Sequence, residues 1–134
     1  MPHVSRKKID GKTFSKISEY LILSLSEIRD KKEMEDFLKA FLSQTERLML
    51  SKRLAVAYML SENITEDEIA QILSIGKPTI VKTRLWIRLE GAGYKIALEI
   101  LRKSAMYGEF KQLFVDILRK MDHPYKGILG QAHE

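Results

Sequence analysis

The stretch ITEDEIAQILSIGKPTIVKTRLWIRL, residues 64–89, leaves this chain few ways to fold. Thr65-Glu66-Asp67-Glu68 reads as a capping box, in which a hydroxyl and a carboxylate three residues on satisfy free amides at a helix start. The box opens a short helix with Ile69, Ile72 and Leu73 on its inner face and Ala70 beside them. Ser74-Ile75-Gly76 is then a turn, with Gly76 suited to the cap position. A second helix starts near Lys77 and reaches about Leu89. Pro78 is compatible with that start, because an amide in the first helical turn has no intrahelical partner. Two helices joined by so short a link must cross at close range.

The rest of the chain repeats the helical period. Phe14, Ile17, Tyr20, Leu21, Leu25 and Ile28 recur at steps of three and four residues. Asp30 with Glu33 resembles a capped start, followed by the stripe Met34, Phe37, Leu38, Phe41 and Leu42. Ser43-Gln44-Thr45-Glu46 is another capping box. It leads into a helix through Leu48, Leu50, Arg53, Leu54, Ala57, Tyr58 and Leu60, rich in strong helix formers. Gly91-Ala92-Gly93 reads as a break, with a sixth helix from Tyr94 to about Arg102. A last stripe, Phe110, Leu113, Phe114, Ile117, Leu118 and Met121, predicts a seventh helix ending before Pro124. No strand pattern survives, so the class is all-α. The expected organisation is a flexible basic arm over 1–12, a helical domain over 13–103, and a helical extension and tail over 104–134.

Composition narrows the functions. The 134 residues are 45% hydrophobic and 31% charged, a balance that suits a soluble domain with a real core. The longest apolar run, LAVAYML at 54–60, is far too short to cross a bilayer. The N-terminus MPHVSRKKIDGK is basic but has no apolar core after it, unlike a secretory signal. A cytoplasmic location is expected. The absence of cysteine excludes disulfides, thiolate catalysis and cysteine–zinc sites. His3, His123 and His133 sit in the termini without metal-ligand spacing. No nucleotide-binding glycine loop or nucleophile motif occurs, so an enzyme is not expected.

The net charge of +5 permits an anionic partner, and its placement is more informative than its sum. Lys77, Lys82, Arg84 and Arg88 crowd the second helix of the opening stretch, with no acid among them. Such a pair of helices has the parts of a helix-turn-helix. Ala70 is small where the second helix crosses, Ile75 can plug the turn, and Ile80 can point inward. Lys77, Pro78 and Val81 then lie opposite Ile80, free to enter a major groove. Lys82, Thr83 and Arg84 can reach phosphates. Glu66, Asp67 and Glu68 complement the helix dipole.

At these residues the chain resembles the Trp repressor superfamily, especially its YerC/YecD branch. The likeness runs over residues 41–101 and is carried by Thr45-Glu46-Arg47, the Arg53 helix, Thr65 through Leu73, Gly76, Thr79-Ile80, and the run Gly91–Gly93-Tyr94-Lys95. The preceding helices also fit. The resemblance implies an intertwined homodimer with a helix-turn-helix at about 65–89 in each subunit, reading half of a palindromic operator in double-stranded DNA. It implies base-facing positions at Lys77, Pro78 and Val81. Asp67 and Ala70 fall where the tryptophan repressor carries DNA-contacting basic residues, so a shared operator is not expected.

The likeness also marks an effector pocket, and there the chain departs from it. Arg53, also counted among the phosphate-binding residues, matches a pocket arginine. Lys82 replaces the second arginine, Thr83 stands where glycine leaves room, and Trp86 where serine does. Free tryptophan is expected not to bind. Either Trp86 fills the pocket from within, or it packs against Lys82 or the dimer core. Three other readings remain: a sigma-factor region 4 module, a LuxR-type output module, and a helical protein-interaction adaptor that has lost DNA binding.

Overall fold

A computed structural model describes residues 8–120, in which seven helices and no strand occur. They are α1 (Gly11–Glu27), α2 (Lys31–Phe41), α3 (Gln44–Ser61), α4 (Glu66–Leu73), α5 (Lys77–Leu89), α6 (Gly91–Lys103) and α7 (Tyr107–Lys120). The chain divides into two compact units, residues 1–50 and 51–134, with α3 beginning in the first and continuing into the second.

In the first unit the starts are set by side-chain caps. Asp10 accepts from the Thr13 amide at 3.4 Å and Asp30 from the Glu33 amide at 3.1 Å. The Ser43–Glu46 box is closed in both directions, at 2.9 and 3.1 Å. Those hydrogen bonds favour the charged form, so the Glu46 carboxyl is held below the usual range. Because Asp10 caps α1, the helix starts at Gly11 and Lys12 lies in its first turn rather than in an arm. Arg6 and Lys7 of the expected arm lie outside the described residues. Neither α1 nor α2 contains a buried residue. Phe14, Ile17, Tyr20, Leu21, Ile22 and Leu23 are all exposed on α1.

The second unit holds the core. Val56, Tyr58, Met59, Ile69, Ile80, Val115 and Leu118 are fully buried, with Ile64, Leu98 and Phe114 nearly so. Removing a side chain of this size from water contributes about 1.5–3 kcal/mol. Successive helices pack on one another: α4 on α5, α5 on α6, α6 on α7. The Tyr58 ring of α3 meets Phe110 at 4.7 Å and Phe114 at 5.1 Å, both from α7. Burial, with Tyr107 and Glu62 nearby, pushes the Tyr58 phenol well above its ordinary range. Arg102 of α6 also donates to the Ser61 hydroxyl at the end of α3, at 3.0 Å.

One boundary differs from expectation. Gly91-Ala92-Gly93 is not a break but the first turn of α6; the interruption is Glu90 alone. Glycine costs less in a first turn, where amides have no helical partner to lose, than in a helix interior. The seventh helix begins at Tyr107; Met121 and Pro124, at its expected end, lie outside the described residues.

Candidate nucleic-acid interface

The α4–turn–α5 unit forms as its sequence dictates. Thr65 caps α4 through the Glu68 amide, and the Glu68 carboxylate returns to the Thr65 amide at 3.1 Å. Ser74 ends α4 in the left-handed region at φ 52°, and the Ile75 amide closes the turn on the Ala70 carbonyl at 3.1 Å. Gly76, by contrast, has φ −70° and ψ 145°, so the reversal falls on Ser74 and not on the glycine. A left-handed residue with a side chain costs about 1–2 kcal/mol. Gly76 is the N-cap of α5 and Pro78 sits in its first turn.

Ile69 of α4 and Ile80 of α5 are fully buried, with Ala70 and Ile75 packed against the same core. Ile80 therefore fixes the rotation of α5. Lys77, Pro78 and Val81 are left exposed at its leading end, with Val81 at 42%. Lys82, Arg84 and Arg88 are exposed further along, and Lys82 has no ion pair among the described residues.

Thr83 differs from expectation. It is buried, and its hydroxyl donates to the Thr79 carbonyl at 2.8 Å, one turn back. It lies three residues after Ile80, on the inward side of the helix, and so leaves the set of phosphate-binding side chains. The other members of the expected effector pocket are exposed: Arg53 on α3, Lys82 and Trp86 on α5. With 52% of Trp86 accessible, the indole does not fill an internal space of this chain. No cation–ring contact joins it to Lys82 among the described residues.

Two ion pairs across the turn were not expected from the sequence. Lys77 Nζ lies 3.0 Å from Asp67 Oδ1, and Arg84 pairs with Glu66. The hydrogen bond to Asp67 and its charge hold the Lys77 ammonium above the ordinary lysine range. The acids opening α4 and the cations on the first half of α5 are complementary in sign. Only the crossing of the helices shows which acid meets which cation.

Among the described residues no group of His, Asp or Glu is arranged to hold a metal, and no helix is long and apolar enough to cross a membrane. Two short helices about a three-residue turn, the second with a basic exposed start, define a helix-turn-helix protein. The family profile described as Trp repressor protein matches residues 16–102, close to two thirds of the chain. The chain belongs to the Trp repressor family, a family of non-enzymatic DNA-binding regulators. The matched region takes in most of α1 and nearly all of α6, and it leaves α7 outside. No curated protein and no solved structure gives a significant match.

Proposed function

We propose that this protein is a homodimeric, sequence-specific DNA-binding regulator that reads the major groove with the start of α5. The observation that carries this reading is the rotation of α5. Ile80 is buried, and Lys77, Pro78 and Val81 are exposed around the leading end of the helix. Base-edge contacts come from these three. Lys82, Arg84 and Arg53 approach phosphates, which supply affinity without sequence information.

The dimer rests on α1. The four consecutive residues Tyr20 to Leu23 are 64, 43, 64 and 53% exposed. Four successive residues point to every side of a helix, and a helix that is apolar all round belongs in a core. The first unit leaves these side chains uncovered, and a second copy is the covering surface that the family fold provides. Each copy then presents one α5 to half of a palindromic site.

Free tryptophan is expected not to bind, because Thr83 and Trp86 add bulk where the family pocket needs space. Calorimetry showing saturable micromolar heat with L-tryptophan would contradict this. The adaptor reading keeps one observation in its favour: Glu66 and Asp67 pair with two of the cations on α5. A filter-binding salt titration on duplex DNA separates the two. Phosphate neutralisation gives a steep negative slope of log K against log salt. Absence of binding at low salt would leave the adaptor. Sedimentation mass tests the dimer, and a monomer at micromolar concentration would remove the palindromic arrangement.

A further inference from the structure

A carboxylate beside the leading end of a DNA-reading helix is costly unless the ligand offers it a donor, since phosphates repel it. Asp67 is in that position. Its side chain is 79% exposed and that of Lys77 is 55% exposed, so the pair faces solvent rather than buttressing the core. The two charges lie 3.0 Å apart, at the first turns of α4 and α5. Together they present an acceptor beside a donor, with no net charge.

The ammonium has three donors. One goes to Asp67 Oδ1, and the others remain for a ligand. Guanine shows two acceptors in the major groove, O6 and N7, while its partner cytosine shows the N4 amino donor beside them. Adenine offers only one acceptor, which would leave an ammonium proton unused. We propose that Asp67 and Lys77 act as one reading unit for a G·C pair, Lys77 donating to guanine O6 and N7 and Asp67 accepting from cytosine N4. Asp67 is thus a specificity-determining residue on α4, outside the recognition helix. This rests on the DNA-binding reading given above.

The test is selection from a random duplex pool with the full chain and its Asp67→Asn and Lys77→Gln variants, followed by titrations on the selected site. The wild type selects G·C at one position of each half-site. Asp67→Asn binds non-specific duplex more tightly, having lost a repulsive charge. Its preference at that one position falls about tenfold, the scale of one lost base contact. Lys77→Gln loses preference at the same position. N4-methylcytosine there, whose methyl group replaces the groove-facing amino hydrogen, weakens the wild type and leaves Asp67→Asn unchanged. A merely structural ion pair would instead lower affinity on all sequences alike, with no response to the methyl group. Selection of A·T at that position, or an unaltered profile in Asp67→Asn, overturns the proposal while leaving DNA binding intact. A wild type that binds no duplex at low salt overturns both.

Discussion

Ser74 is the residue where the local rules and the fold disagree. Its left-handed conformation is demanded by the reversal between α4 and α5, yet serine has no special tolerance for it. A second left-handed residue, Asn63 at φ 62°, follows α3, and asparagine is a residue that accepts this region. Ser74→Gly would remove the strain while increasing the freedom of the unfolded chain, and these partly offset. The expected net gain is about 0.5–1 kcal/mol, read as a raised urea midpoint at unchanged slope. A loss of stability would mean that the serine side chain contributes more than its backbone costs. Ser74 stands where helix-turn-helix turns often place glycine, and the sequence leaves open whether Ser74 or Gly76 takes the bend; the positive φ falls on Ser74.

At the level of helices, the starts were legible because caps are local. The side-chain caps of α1 to α4 each need only a hydroxyl or carboxylate and an amide three residues on. The start of α6 was not, because Gly91 and Gly93 carry no pattern of their own. A Cβ on Gly93 would meet no neighbour within 4 Å, and its φ is not positive. Gly93→Ala is expected to stabilise by about 0.5–1 kcal/mol, measured by thermal unfolding.

On the proposed DNA-binding reading, the ion pairs between α4 and α5 modulate affinity. Glu66 occupies Arg84, whereas Lys82 has no such pair among the described residues, so the two cations should not weigh equally. Lys82→Ala is expected to flatten the salt slope by about one unit. Arg84→Ala should flatten it less, and Glu66→Gln should raise affinity for every duplex. Equal slopes for Lys82→Ala and Arg84→Ala would show that DNA displaces Glu66 completely.

Across the whole chain, α7 changes meaning. Its apolar stripe reads in sequence as an extension whose purpose is open. In the structure Phe114, Val115 and Leu118 belong to the same core as the buried residues of α4 and α5. Phe114→Ala is expected to cost about 3–5 kcal/mol, through lost burial and the cavity left against Tyr58. Chemical denaturation followed by helical signal would check it. A cost below about 1 kcal/mol would return α7 to the role of a detachable appendage.

The helices, and the turn that sets α5 apart, could be read from the chain alone, because period, caps and turn chemistry act over a few residues. The same reading marked Ile80 as the inward residue and hence Lys77, Pro78 and Val81 as the outward ones. The burial of Thr83, the meeting of Asp67 with Lys77 and of Glu66 with Arg84, and the completion of the core by α7 emerged with the folded molecule. Each of these depends on how two helices cross, and a crossing is fixed by the packing of both partners together rather than by either segment alone.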